Sequence, residues 1–269
     1  MAVVRSSRFP RRGIILAAII VAVTAAGAPA ASGTAPRLDP DDPAGAWAGY
    51  SIGAPAQRSA PVPAGGVAGM DVSGHQGVVD WPRAWADGAR FAYVKATEGT
   101  GFRNDHFAAQ YEGAHAVGMV RGAYHFGLPD RSSGAQQANF FVDHGGGWSP
   151  GLLPGALDIE HNPYGEICYG LPPERMSAWI AEFSDTYFAR TGRHPAIYTT
   201  TAWWNRCTGA NPTFGARNPL WLARYAPAPG ELPAGWDFQT IWQFSNHGVL
   251  PGDQNTFNGD HRQLASFVS

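Results

Sequence analysis

The chain has 269 residues, 19 Lys plus Arg against 21 Asp plus Glu, and two cysteines. With a formal charge of −2 and no basic run beyond its N-terminus, it lacks the electrostatic footprint of a nucleic-acid binder. A hydrophobic content of 44%, with 10 tryptophans, excludes general disorder, and two cysteines are too few for a disulfide scaffold.

Residues 1–30 read as a signal peptide. Arg5, Arg8, Arg11 and Arg12 precede an apolar run from Ile14 to Ala26, and Ala28-Pro29-Ala30 offers a small-x-small cleavage site. The run is short for a spanning helix, so the expected product is secreted and keeps no stable membrane association. Residues 31–66 are rich in Ala, Pro, Gly and Ser and lack apolar periodicity. They are expected to form a flexible leader with no face to dock. A chain starting at Val67 should then keep its activity and melting temperature. Residues 67–269 hold nearly all the patterned sequence and read as one catalytic domain.

Within that domain, strands are expected at Gly69 to Val72, Phe91 to Ala96, Val120 to Phe126 and Ala156 to Ile159. Helical patterns at Trp81 to Gly88, His106 to Val117, Gly134 to His144 and Pro173 to Thr191 alternate with them. Such alternation implies parallel strands with right-handed crossovers, and the nearly continuous apolar strands imply burial on both faces. Further strands are expected at Ala196 to Thr200, Leu220 to Tyr225 and Thr240 to Phe244, but Tyr225 to Thr240 is too rich in Pro and Gly for a crossover helix. The fold class is therefore α/β: an irregular, TIM-like β/α barrel of about five βα units followed by three strands with little helix. An open doubly wound sheet is the alternative, but no glycine-rich phosphate loop follows the first strand.

Barrel chemistry sits at the C-terminal ends of the strands. Asp71 falls at the end of the first strand, and Asp158 and Glu160 at the end of the fourth. Side chains alternate along a strand, so Asp158 and Glu160 share the side opposite Ile159, which suits the helix-facing layer. Two carboxyls that close raise the pKa of one partner, the arrangement that glycoside hydrolysis needs. An Asp-x-Glu pair on a solvated strand end has the same spacing, so the pattern alone leaves both readings open. Tyr93, Tyr124, Tyr198, Trp221, Tyr225 and Trp242 lie on or near strand ends, where flat rings suit sugar faces or fill the core.

No His-Glu-x-x-His or ligand-like His/Cys spacing is present, so no metal or other cofactor is expected. His75, His125 and His161 are expected to be structural, and the absence of Gly-x-Ser-x-Gly argues against a serine hydrolase. Cys168 and Cys207 are expected to form a structural disulfide in an exported protein.

Three stretches then carry a resemblance. These are Asp71-Val72-Ser73-Gly74-His75-Gln76-Gly77, followed by Gly88 and by Tyr93-Val94-Lys95-Ala96-Thr97-Glu98-Gly99 with Phe102 and Asn104; Asp158-Ile159-Glu160; and Gly252-Asp253-Gln254-Asn255-Thr256-Phe257-Asn258-Gly259. In order and spacing they resemble the glycoside hydrolase family 25 lysozymes of the Chalaropsis type. The resemblance implies an irregular β/α barrel that hydrolyses the β-1,4 bond between N-acetylmuramic acid and N-acetylglucosamine in peptidoglycan. It implies Glu160 as general acid, Asp158 as its negatively charged partner, and Asp71 and Asp253 as flanking acids. Substrate-binding candidates are Tyr93, Glu98, Tyr124, Tyr198, Trp221 and Trp242, with peptidoglycan strands as the partner of a monomeric enzyme. A glycan-binding barrel without catalysis, or a glycosidase for another N-acetylated polysaccharide, is the alternative.

Overall fold

The computed structural model describes residues 1, 46–49, 63 and 65–269, so the signal peptide and most of the leader lie outside the described residues. The described elements belong to the unit Gly33–Ser269. Nine strands occur among them: β1 (Val67–Val72), β2 (Phe91–Glu98), β3 (Phe102–Arg103), β4 (Val120–Phe126), β5 (Ala156–Asp158), β6 (Ala196–Thr199), β7 (Leu220–Ala223), β8 (Ile241–Ser245) and β9 (Asp253–Phe257). Their order is β1-β9-β8-β7-β6-β5-β4-β2-β3, and β1 also pairs with β2, which closes an eight-stranded barrel with β3 as a short flap on β2. The helices are α1 (Trp81–Ala86), α2 (Phe107–Ala116), α3 (Gly134–Phe141), α4 (Pro173–Thr191), α5 (Thr201–Thr208) and α6 (His261–Phe267). None of these is long and apolar enough to cross a membrane.

The irregular barrel expected from the sequence is what forms, with two additions. The closing strand β9 runs antiparallel to both β8 and β1, whereas the other barrel pairings are parallel. Its polar sequence, Asp-Gln-Asn-Thr, hides it from a search for apolar runs. Helix α5 is also short and unannounced; it starts where the Thr200 side chain accepts a hydrogen bond from the Trp203 N–H. A disulfide ties Cys207 on α5 to Cys168 in the loop before α4.

Alternation along the strands sorts the core into two layers. Inward residues Phe91, Tyr93, Tyr124, Tyr198 and Trp221 fill the barrel, while Leu157, Ile159, Ile197, Leu222 and Trp242 pack with Trp179, Ile180 and Phe183 outside it. The rings leave room for little else. A Cβ at Gly122 would come within 2.6 Å of the Tyr93 ring, so this inward position on β4 has to be glycine.

Candidate active site

Asp158 ends β5, and the Ile159 N–H continues the strand by donating to the Tyr198 carbonyl at 3.0 Å. Ile159 goes to the outer layer, and Asp158 and Glu160, both fully buried, do not. On the opposite wall Asp71 of β1 and Asp253 of β9 are direct cross-strand partners. Adjacent residues of antiparallel strands lie about 5 Å apart at their α-carbons, so these two acids crowd each other by construction.

One amide holds that pair. Gln243 on β8 donates from Nε2 to Asp71 Oδ2 at 2.9 Å and to Asp253 Oδ2 at 3.1 Å. Its Oε1 accepts from the Tyr198 hydroxyl at 2.7 Å and the Tyr225 hydroxyl at 3.0 Å. Asn255 adds a second donor to Asp71 Oδ2 at 2.6 Å and is itself fixed by the Trp221 indole N–H at 2.8 Å. Asp158 stands apart from this network. Both its oxygens are buried without a hydrogen-bond partner among the described residues.

Burial decides the charge state of these acids. It lifts Asp71 from 3.8 to about 7 against the hydrogen bonds from Gln243 and Asn255, and the charge of Glu160 adds to the rise. Burial raises Asp158 well above the usual carboxylate range, with Glu160 pushing the same way and Lys95 opposing. Asp253 is raised well above it too, by burial and then by Asp71. The cleft thus holds three acids whose pKa values are all raised by burial, beside a fixed set of amide and hydroxyl donors.

A β-bulge shapes the third wall. Lys95 and Glu98 are three positions apart on β2 and would face opposite sides of a regular strand. The register shifts between Lys95 and Thr97, which turns both to the same side. Lys95 Nζ then meets Glu98 Oε2 at 2.6 Å in a buried ion pair, and the Tyr164 hydroxyl donates to Glu98 Oε1.

The expectation that nothing in residues 31–66 docks on the barrel is corrected at Ala46–Gly49, which lie inside this cleft. The Gly49 N–H donates to Glu160 Oε1 at 2.8 Å, and the Ala46 N–H to Glu98 Oε2 at 2.9 Å. Lys95 Nζ donates to the Ala46 carbonyl, and Gln243 Nε2 reaches the Ala48 carbonyl at 3.3 Å. The Ala48 N–H points at the Tyr124 hydroxyl at 3.4 Å, and Trp47 lies edge-on to His75 with ring centres 4.2 Å apart. The sequence gives no warning of this, because the barrel grips backbone groups that any residues could supply.

The family model for glycosyl hydrolases family 25 matches residues 70–253, from the residue before Asp71 to Asp253 itself. The chain belongs to this family. Lysozyme M1 of Streptomyces globisporus is 42% identical over 264 residues, covering 94% of this chain and 90% of that one. The N,O-diacetylmuramidase of Chalaropsis sp is 49% identical over 209 residues, 76% of this chain and 99% of that one. Among solved structures, the lysozyme of Streptomyces coelicolor superposes with a TM-score of 0.74 at 45% identity, covering 77% of this chain and 98% of that one. This chain is a glycoside hydrolase of the lysozyme family.

Within this family 25 barrel the four acids named from the sequence line one cleft. The other candidates separate. Glu98 and the Tyr124 hydroxyl reach the cleft, and Tyr198 reaches it through Gln243. Tyr93 does not: its ring stacks on Trp221 at 4.5 Å and its hydroxyl donates to the Pro154 carbonyl. Trp221 fills the barrel, fully buried. Trp242 belongs to the outer layer, with its indole N–H on the Arg224 carbonyl. Rings filling the core could not be told from rings lining the cleft by strand position alone. His125 is structural, bonded to Thr97 and Gln137 on its two nitrogens and held neutral down to about 3 by burial. Sequence reasoning passed over Gln243 and Tyr164, and quoted Lys95 and Asn255 only within the stretches that carry the resemblance, without a role. A signal existed for Gln243, since period-two alternation places it opposite Trp242 and Phe244, which makes it a polar residue facing the barrel interior.

Proposed function

We propose that the chain is a secreted, cofactor-free N-acetylmuramidase that cleaves the β-1,4 bond between N-acetylmuramic acid and N-acetylglucosamine in peptidoglycan. Glu160 is the general acid and protonates the leaving glycosidic oxygen. Asp158 receives the N–H of the neighbouring acetamido group, whose carbonyl oxygen attacks the anomeric carbon as the glycosidic bond breaks. Water then attacks that carbon, breaking its bond to the acetamido oxygen, and gives its proton to Glu160. Asp71 and Asp253, fixed by Gln243 and Asn255, flank the reacting sugar.

The observation that carries this reading is the state of Asp158: two buried oxygens with no donor among the described residues, on the same face as Glu160. A buried acceptor without a partner is costly, and a substrate N–H removes that cost only when the acetamido sugar is seated. A purely structural carboxylate would be expected to carry its own donors, as Asp71 does.

The test is release of reducing ends from purified peptidoglycan, with chitin as the comparison. Cleavage of peptidoglycan with retained anomeric configuration, read by proton NMR of the first product, supports the assignment. Inversion, or a trapped glycosyl ester on Asp158 or Asp253, would overturn the substrate-assisted route. Preference for chitin would overturn the substrate.

A further inference from the structure

We propose that Ala46–Gly49 is an intramolecular inhibitor, a segment of the leader that holds the full-length chain in a state of low activity; the proposal rests on the reading of the cleft as a glycosidase site. The seat is built rather than incidental. Three of the four backbone N–H groups, those of Ala46, Ala48 and Gly49, point at Glu98, Tyr124 and Glu160, and two carbonyls are taken by Lys95 and Gln243. Ala46, Ala48 and Gly49 are buried. The contact on Glu160 matters most, because that carboxyl must be free to reach the glycosidic oxygen. A glycan and this segment cannot occupy the cleft together.

Gly49 makes the fit specific. Its φ is +95°, and a Cβ there would stand 2.3 Å from the Tyr225 hydroxyl and 2.9 Å from both Asp253 Oδ2 and Gln243 Oε1. Only glycine brings the backbone down between those groups. The cleft normally offers acceptors and donors to the acetamido groups of a sugar chain, and peptide units present the same N–H and C=O chemistry. Covalent attachment raises the local concentration of such a segment to the order of millimolar, so weak contacts suffice to fill the site. A segment seated nine-tenths of the time would raise the apparent KM about tenfold and leave kcat alone.

The experiment compares the secreted full-length chain with its Gly49→Val variant on purified peptidoglycan. Gly49 takes no part in the chemistry, and the added branch cannot fit between Tyr225 and Asp253. The expected result is an increase of about tenfold in kcat/KM, carried by KM, at an unchanged pH optimum. Hydrogen exchange over residues 46–49 should show protected amides in the parent and lost protection in the variant. A peptide spanning residues 44–51 should inhibit the variant competitively, a control that does not depend on how Gly49→Val affects folding. Equal KM values for the two chains, or unprotected amides in the parent, would overturn the inhibitor. Hydrolysis by neither chain would instead refute the proposed function, and the exchange measurement would still decide whether the segment is seated.

Discussion

Replacing Asp71 by Asn should stabilise the folded chain at pH 8 and leave it almost unchanged near pH 4. In the folded protein this carboxyl titrates at about 7, against 3.8 for an exposed aspartate. A group whose folded pKa is raised contributes stability that is complete below the unfolded value and disappears as pH climbs through the folded one. Between pH 3.8 and 7, therefore, the parent progressively loses what the neutral carboxyl supplies. About three pKa units correspond to about 4 kcal/mol, the upper end of the effect because Asp71 shares its charge with Asp253 and Glu160. Asn carries no charge and still offers an acceptor oxygen to Gln243 and Asn255, whose amides reach Oδ2 at 2.9 and 2.6 Å. For a domain of this size a gain of a few kcal/mol shifts Tm by roughly 10 °C. Thermal melts of both chains by circular dichroism, from pH 4 to pH 8, provide the check. A Tm difference that stays constant with pH, or a variant less stable than the parent at pH 8, would refute the electrostatic argument.

Glu160→Gln should lower hydrolysis by about 10² to 10⁴ with Tm preserved, since the amide keeps the shape and cannot donate the proton; retention of more than about a tenth of the rate would exclude Glu160 as the acid. Gln243→Leu should cost about 2–5 kcal/mol in chemical denaturation, because it strands the Tyr198 hydroxyl, leaves the Tyr225 hydroxyl only Asp253, and takes a donor from two carboxyls. A loss below about 1 kcal/mol would show that water replaces the amide. The denatured, unreduced protein should give no titratable thiol, and replacing Cys168 and Cys207 together by serine should cost about 3–4 kcal/mol on the chain-entropy model.

The readable parts of this protein were those where one physical rule acts alone. Alternation around Ile159 was enough to turn Asp158 and Glu160 to one side, and strand–helix order was enough for the barrel. Asp253 was accessible only through resemblance, because β9 has no apolar run and gains its place by pairing with β1 and β8. The aromatic candidates failed where two rules compete: Tyr93 and Trp221 face inward as alternation requires, yet lie in the packed interior of the barrel. The Lys95–Glu98 pair depends on a bulge, and a single extra residue in a ladder has no sequence pattern of its own. Docking of Ala46–Gly49 was the least visible, since alanine and glycine advertise nothing and the contacts are made by the main chain.

Lys95 is the sole lysine of the chain, and it lies fully buried in the middle of β2 with its ammonium paired to Glu98. A lysine-specific protease therefore has one peptide bond to cut in the whole molecule, in a strand paired on both sides by β1 and β4. Cutting there demands that the barrel come apart, because fraying of a loop exposes nothing for the protease to recognise. The appearance of two fragments would time global opening of the fold, with no label and no substitution introduced.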